Sequence, residues 1–211
     1  EDLDYRYLDT VTEGKSVSNN ASTYAMVSYF GKVNYAFDDK YLISGTVRRD
    51  ASSRFGTGNN SAIFPSVSAG WRVSREKFME RTQSWLSDLK LRASWGINGN
   101  DQIDNNATYN LYYTNMSNGS YNFNGDGATG VPGVQKDRSG NNDLKWEETK
   151  QLNFGIDAAF FDARLGVTLD YFQKKTTDML IQKPYIGVIG EGGYKWYNAA
   201  SMDNSGVEAT F

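Results

Sequence analysis

Apolar and polar residues alternate with a period of two through most of this 211-residue chain, and the periodicity of amphipathic helices is nearly absent. Ala25, Val27, Tyr29, Val33, Tyr35 and Phe37 share one parity, broken only by Gly31, while Ser28, Lys32 and Asn34 hold the other. After Asp38-Asp39 the pattern resumes with Tyr41, Ile43, Gly45 and Val47 against Ser44, Thr46, Arg48 and Asp50. A third strand sets Ile63, Val67, Ala69, Trp71 and Val73 opposite Ser66, Ser68, Gly70 and Arg72. A fourth sets Leu89, Leu91, Ala93, Trp95 and Ile97 opposite Lys90, Arg92, Ser94 and Asn98. Beyond a long gap, Leu152, Phe154, Ile156, Ala158 and Phe160 interleave with Gln151, Asn153, Gly155 and Asp157. A sixth strand pairs Leu165, Val167, Leu169 and Tyr171 with Arg164, Thr168 and Asp170. A seventh has only begun at Val207, Ala209 and Phe211 when the chain stops, so Phe211 reads as an interruption and not as the terminal aromatic of a finished barrel.

Alternation of this kind suits two all-β architectures. In a β-sandwich the apolar face turns inward onto a second sheet, and in a membrane barrel it turns outward into lipid. Three features favour the barrel. Connectors alternate between short (Asp38-Asp39, Asp162-Ala163) and long, with long loops at 52–62, 100–147 and 176–204, the asymmetry of periplasmic turns and extracellular loops. The third and fourth strands join through a moderate segment that reads as a short helix over 76–83, N-capped by Ser74. Aromatics gather beside the short turns, where Tyr35, Phe37, Tyr41, Phe160 and Phe161 would form an interfacial girdle. Charges of the apolar parity (Arg49, Lys150, Lys175, and Glu148 above Lys150) stand at the long-loop ends. A cation costs about 2–4 kcal/mol at the bilayer midplane but only about 0–1 near the interface, where these three would meet anionic head groups of the outer leaflet.

Composition narrows the chemistry. Zero His and zero Cys remove Ser-His-Asp, Cys-His and zinc-hydrolase chemistry as well as disulfides, so no catalytic role, cofactor or metal is expected. A formal charge of −3 provides no basic field for nucleic acid. No segment approaches the roughly 18 apolar residues of a membrane-spanning helix, which leaves β-strand spans of about 9–11 residues open. No basic-then-apolar leader follows Glu1, so such a segment was removed or the chain starts inside a longer protein. Seven strands do not close such a barrel: the smallest have about eight and outer-membrane transporters about twenty-two. Residues 1–211 are therefore expected to form a partial barrel domain without a plug.

Motifs in order along the chain carry a resemblance. They are Gly31-Lys32 with Tyr35-Ala36-Phe37-Asp38-Asp39-Lys40-Tyr41-Leu42, then Arg49-Asp50-Ala51-Ser52-Ser53-Arg54-Phe55-Gly56, Phe64-Pro65-Ser66 and Gly70-Trp71-Arg72. Leu89 through Gly96, Gly99-Asn100, Leu144-Lys145-Trp146-Glu147, Asn153-Phe154-Gly155-Ile156-Asp157, Asp170-Tyr171-Phe172 and Asn204-Ser205-Gly206-Val207-Glu208 follow. In this order and spacing the chain resembles the SusC/RagA family of TonB-dependent outer-membrane transporters, with Ala51 standing where the family usually has glycine. The resemblance implies about seven strands of a roughly 22-stranded antiparallel barrel in the outer membrane of a Gram-negative bacterium. It implies import of oligosaccharides, or of peptides in some members, driven by the TonB complex through an N-terminal region absent from this chain. It also implies a SusD-like surface lipoprotein as lid, and contact with outer-membrane lipid and lipopolysaccharide.

Candidate contact residues lie in the loop 100–147, which holds ten Asn and six Gly in forty-eight residues together with Tyr109, Tyr112, Tyr113, Tyr121 and Phe123. Asn amides bond sugar hydroxyls and Tyr rings stack on pyranose faces, so these five aromatics are ligand- or lid-facing candidates; the same composition also suits a loop packed on itself. Asn100, Asp101, Gln102, Asp104 and Asn106 gather oxygen donors without calcium-loop spacing and read as a solvated turn. Trp146 and the run Tyr194-Lys195-Trp196-Tyr197 read as a second interfacial belt. Lys32, Arg48, Arg72, Arg92, Asp157 and Asp170 share the lumen parity, lining a hydrated path or meeting a plug. The competing fold is a secreted β-sandwich glycan-binding module, in which Val27, Val67, Leu91 and Val167 would be buried.

Overall fold

A computed structural model describes residues 22–113, 120–121, 131–132 and 134–211. Seven long strands form one antiparallel sheet, each paired to its sequence neighbour. They are β1 (Met26–Phe37), β2 (Tyr41–Ser52), β3 (Ser61–Arg72), β4 (Leu86–Asn100), β5 (Glu147–Phe160), β6 (Leu165–Pro184) and β7 (Tyr194–Thr210). Two short ribbons, Leu111–Tyr113 with Gln135–Arg138 and Ser120–Tyr121 with Val131–Pro132, lie within the long β4–β5 connector.

The sheet is a single layer. Val27, Val67 and Leu91 are 51%, 48% and 37% exposed and Val167 is half-buried, with no second sheet stacked on them among the described residues. The sandwich expectation is thereby overturned: the apolar parity of the wall has no protein partner. Register keeps the parities intact from strand to strand, as in the row Tyr35–Ile43–Ala69–Ala93–Phe154–Tyr171–Val207. A shift of one residue anywhere would turn a whole strand's apolar set into the polar face.

Short turns close one end of the sheet. Asp38 and Asp39 take φ of 51° and 50°, the left-handed region that aspartate tolerates better than most residues, and the Lys40 N–H donates to the Phe37 carbonyl at 3.0 Å. Phe161, Asp162 and Ala163 are also left-handed and complete the β5–β6 turn. Between β3 and β4 the short helix expected over 76–83 is present as a 3-10 helix, Lys77–Thr82, preceded by a second 3-10 piece, Val73–Arg75. Ser74 caps neither piece. It is buried and its hydroxyl donates to Asp88 at 2.5 Å, the local hydrogen bonding by which a serine competes with a cap.

The long-connector end departs most from expectation. Residues 176–204 are largely strand: β6 runs on to Pro184 and β7 begins at Tyr194, so the seventh strand is 17 residues long and not a stub. Lys175 consequently stands mid-strand. From Leu165 to Lys174, and again from Gln151 to Phe160, ten residues separate the short-turn end from the outward lysines Lys175 and Lys150, which face each other in register. Ten residues at about 3.3 Å and a tilt near 40° give about 25 Å, the height of a barrel's apolar band. Beyond that height the alternation of apolar and polar residues stops, but backbone pairing continues, so the ribbon rises while its sequence signal disappears.

A small core also sits at this end. Phe55, Phe64, Ile103, Ala107, Leu144 and Trp146 are buried together, with Ala62, Ile97, Leu180 and Trp196 against them. Phe64 and Phe55 both place their ring centroids 5.4 Å from Trp146. Pro65 has no N–H to give, and the β3–β4 ladder begins only at Ser66 opposite Gly96; above it the Phe64 ring lies against Gly99, where any Cβ would collide with it. Phe64→Ala is expected to lower stability by about 3–5 kcal/mol and Gly99→Ala by about 1–3 kcal/mol, read in the intact protein as a lower temperature of the heat-induced gel-mobility change.

Candidate functional site

Three clusters could carry function: an ion cluster on the polar face, a clamped loop at the long-connector end, and an aromatic row at the short-turn end. The first follows from register. Arg92, Gly155 and Asp170 lie side by side on β4, β5 and β6, and Asp157 is the next residue of that parity on β5. The missing Cβ of Gly155 lets the Arg92 side chain cross the middle strand; a methyl there would meet both Asp170 and the Arg92 guanidinium. Arg92 donates from Nε to Asp157 at 2.7 Å and from Nη2 to its other oxygen at 2.8 Å, and reaches Asp170 at 3.0 Å. One cation so faces two carboxylates, and the cluster keeps a net negative charge and spare acceptor capacity on the polar face. Arg48 pairs with buried Asp50 at 2.6 Å. Beside these lies an open hollow of about 440 Å³ floored by small residues (Ser44, Ser68, Gly70, Ser94) with Lys90 and Arg92 at its edge.

The second cluster holds the loop after β4. Asp101 accepts from the Ser52 hydroxyl at 2.7 Å and the Tyr24 hydroxyl at 2.9 Å, and Arg54 bonds the Asp101 carbonyl at 3.0 Å and Asn105 Oδ1 at 3.0 Å. Asp104 receives Arg138, the Tyr194 hydroxyl at 2.9 Å and the Trp196 indole N–H at 3.1 Å. Burial alone would push the Asp104 carboxyl up, but the hydrogen bonds from Trp196 and Tyr194 and the Arg138 charge outweigh it and hold the group below the usual carboxylate range. Glu147 ties the exit of the loop to β6, accepting the Leu180 N–H at 3.0 Å. Residues 101–110 are thus strapped between β2 and β7. The solvated turn expected there is a pair of ion-paired anchors, each carboxylate committed to its own arginine.

The third cluster contains three of the expected girdle residues. Phe37, Tyr41 and Trp71 stack in sequence with centroids 6.4 Å apart at each step, and Tyr35 is exposed one pleat above Phe37 on the same parity. Phe160 stacks on Trp85 at 6.0 Å at the same end of the sheet. Glu76 accepts from the Tyr41 hydroxyl at 2.7 Å and the Trp71 indole at 3.2 Å; those two bonds hold its carboxyl below the usual range. Rings on the apolar face with polar atoms turned to the turns is the arrangement of aromatics at a lipid–water boundary. Trp71 belongs to this row although its place in the alternation alone marked it only as outward.

Of the loop aromatics, Tyr109 and Tyr112 are exposed at 64% and 57%, Tyr109 just before the Leu111–Tyr113 strand and Tyr112 within it. Tyr113 and Tyr121 fall in the two ribbons and are described for backbone only, and Phe123 lies outside the described residues. The second belt is overturned. Trp146 is 4% exposed in the outer core, Tyr194 and Trp196 bind Asp104, and the Tyr197 ring sits between Lys183 and Lys195 at 5.2 and 5.5 Å. These aromatics lie beyond the alternating apolar band, where they pack on protein. The sequence marks Asp104 only as one oxygen of a polar turn and not the partners it accepts from, because they stand thirty-four and ninety or more residues away.

Two measurements check these clusters. Asp104→Asn is expected to loosen the strap by about 1 kcal/mol, a figure kept small because the carboxylate is 38% exposed, and so to raise proteolysis within 100–147 without unfolding the wall. The pH dependence has a definite sign: a folded pKa below the unfolded value of about 3.9 gives stabilisation that is complete above that value and is lost as pH falls through the folded pKa. Wild type should therefore approach the Asp104→Asn behaviour only in acid below about pH 4, seen as a red shift of Trp196 fluorescence. Gly155→Ala should break the Arg92–Asp170 pair and lower stability by about 1–3 kcal/mol, with Arg92→Lys unable to restore the bidentate contact.

Known proteins share this arrangement. Residues 1–211 match the family model "TonB dependent receptor-like, beta-barrel" over their whole length. The TonB-dependent receptor P39 of Formosa agariphila is 35% identical over 209 residues, 97% of this chain and 19% of the relative. The TonB-dependent receptor SusC of Bacteroides thetaiotaomicron is 35% identical over 189 residues, 89% of this chain and 18% of the relative. The solved RagAB peptide importer in its "closed-closed" state superimposes with a TM-score of 0.79 at 34% identity, covering 99% of this chain and 22% of that one. The chain spans about a fifth of the length of the curated relatives it matches. With the motifs, the single-layer meander and the family model in agreement, the chain belongs to the TonB-dependent receptor β-barrel family, and within it is of the SusC/RagA type.

Proposed function

We propose that these residues form part of the wall of a TonB-dependent importer in a Gram-negative outer membrane, taking up oligosaccharides or peptides together with a SusD-like surface lipoprotein. The observation that carries this reading is the uncovered apolar face, which runs for about 25 Å between an aromatic row and outward cations and needs hydrocarbon against it. The likeness to SusC and to the RagAB peptide importer supports uptake of a bulky nutrient, and RagAB supports the peptide alternative by its printed description. Tyr35, Phe37, Tyr41 and Phe160 serve as the inner girdle. Tyr109, Tyr112, Tyr113, Tyr121 and Phe123 face ligand or lid, and the connectors at 52–62 and 100–147 and the upper part of the β6–β7 hairpin are extracellular.

In this reading the clusters have mechanical roles. The hollow beside Lys90 and Arg92, with its small residues, leaves room for plug backbone to approach the wall, and the residual negative charge at Asp157 and Asp170 orients cationic groups of the plug or a hydrated path. The strapped loop keeps the mouth of the pore in one shape while nutrient passes. The wall holds and orients; energy enters from TonB elsewhere.

Spin labels on single cysteines in the intact protein in bilayers test the reading. Labels at Ile43, Val67, Leu91 and Leu169 are expected to be open to oxygen and closed to a water-soluble nickel complex, while labels at Ser44, Ser68 and Ser94 show the reverse. Equal nickel access at both sets removes the membrane. TonB-dependent uptake of labelled oligosaccharide and peptide libraries by cells, with and without the neighbouring lipoprotein, separates the two nutrients and tests the lid.

A further inference from the structure

The connector between β3 and β4 is longer than a turn requires. The β1–β2 and β5–β6 turns at the same end of the sheet take three and four residues, whereas this one takes thirteen, from Val73 to Trp85. Its first part is tied down, with Ser74 bonded to Asp88 and Arg75 paired with Asp39 at 3.0 Å. The 3-10 helix that follows, Lys77–Thr82, buries none of its residues, and it presents Phe78 at 66% exposure. Trp85 at the connector's exit and Phe161 in the next turn are 47% and 56% exposed. Three large rings open at one end of a sheet need a partner that is not water.

Two contacts fix the side of the sheet on which the 3-10 helix lies. At its entry Glu76 accepts from the Tyr41 hydroxyl and the Trp71 indole, two rings of the apolar face. At its exit Trp85 stacks on Phe160, another ring of that face, at 6.0 Å, and the Trp85 carbonyl accepts the Phe161 N–H at 3.0 Å. Both ends are thus pinned to the outward aromatic row, and the helix bridges its two halves. A plug, being on the polar face, does not reach it. Charge does not select the occupant: Arg75 meets Asp39, Glu76 is held by Tyr41 and Trp71, and Lys77 and Arg81 share the helix with Glu80, a surplus of one. Continuity with the aromatic row selects it, because Phe78 continues a boundary whose other rings already face hydrocarbon.

We propose that the connector 73–85 is an interfacial foot, lying along the outside of the wall in the head-group layer of the periplasmic leaflet. Phe78 and Trp85 enter the first methylenes of the glycerophospholipid chains, and Lys77 and Arg81 stand at the phosphates. The inference rests on the membrane orientation given above and not on which nutrient is carried. A strand crossing the boundary offers it only the one ring that its parity turns outward. An element lying in the membrane plane adds rings at a single depth, and so resists sliding and tilting of the wall. With one surplus charge, apolar insertion and not salt-sensitive attraction holds it.

The test uses the intact protein in vesicles of phosphatidylethanolamine and phosphatidylglycerol, with a bimane label on Phe78→Cys and, as a control on the polar parity of the neighbouring turn, on Arg164→Cys. A phosphatidylcholine carrying a nitroxide near its head group is expected to quench the label at 78 at least about threefold more than at 164, and more than a nitroxide near the chain end does. Added salt should change that quenching by no more than about a quarter. A label on Gln83→Cys keeps the wild-type Phe78 and should lose at least about half of its quenching when Phe78→Asp is added. All these positions are exposed, and unchanged heat-modifiable gel migration checks that the wall has folded. A label at 78 that a water-soluble nickel complex reaches as freely as at 164 overturns the proposal. So does one shielded from both nickel and lipid, which would mean a protein covers it, and so does quenching that salt abolishes. A label at Val67, on the outer face at mid-height, keeps the two readings apart: lipid quenching at 67 without quenching at 78 removes the foot alone, and quenching at neither removes the membrane reading with it.

Discussion

An apolar sheet face with nothing but hydrocarbon to touch governs how this wall is built. In water a seven-stranded layer with Val33, Ile43, Val67 and Phe154 open on one side would find another sheet or aggregate. In a bilayer the same face is satisfied, and every backbone N–H and C=O within the band must then be paired inside the sheet, because lipid offers no partner. Strand length, unbroken register and short left-handed turns all follow from that requirement. The outward charges follow too: Lys150 and Lys175 stand directly opposite each other, with Asp203 in register on the other side of Lys175, at the level where a bilayer's head groups begin.

A wall without a core on either face needs its stiffness from elsewhere. On the polar face it comes from ion pairing across strands, and the Gly155 position shows how closely backbone and charge are fitted. The Asn-Phe-Gly-Ile-Asp and Asp-Tyr-Phe motifs at 153–157 and 170–172 are legible as parts of one device: glycine to let an arginine pass, and an aspartate on each side of its path. At the outer end stiffness comes from a conventional buried core, where Phe55, Phe64, Leu144 and Trp146 exclude water above the level of the lipid. The protein therefore changes its means of stabilisation along its own height, from solvent-imposed alternation in the band to side-chain packing and salt links above it.

That change also sets what can be read from sequence. Strands β1 to β5 were legible to within a few residues, because lipid forces period two and any violation is conspicuous. The single layer, the short turns at Asp38-Asp39 and Asp162-Ala163, and the aromatic row through Tyr41 were legible for the same reason. Above Lys175 the sequence Lys-Thr-Thr-Asp-Met carries no parity, and the β6–β7 ladder continues there only through bulges between Thr176 and Leu180, so the upper halves of β6 and β7 read as loop in the sequence. Trp146 was misplaced because a tryptophan beside a strand end is as common at a membrane boundary as in a core, and only the distant Phe55 and Phe64 decide the matter. Ser74 does not cap because the Asp88 carboxylate that accepts its hydroxyl lies across the turn, a contact that local pattern does not contain.

The two regimes divide the work of the protein. Within the band any apolar residue of suitable size maintains the wall, so the outer face has little power to discriminate between nutrients or partners. Above the band each contact is specific. Asp104 binds Arg138, Tyr194 and Trp196 only if the loop, its ribbon and β7 are all in place, and the hairpin neck sits on Asp137 only if Gly192 and Gly193 leave room. A load applied at the hairpin tip reaches the strapped segment 101–110 by two routes that meet at Asp104, one through the 135–138 strand and Arg138 and one through Tyr194 and Trp196 of β7. Recognition at the mouth and support by the barrel are in this way mechanically separate, and a change in the upper contacts can alter what is bound without disturbing how the sheet stands in the membrane.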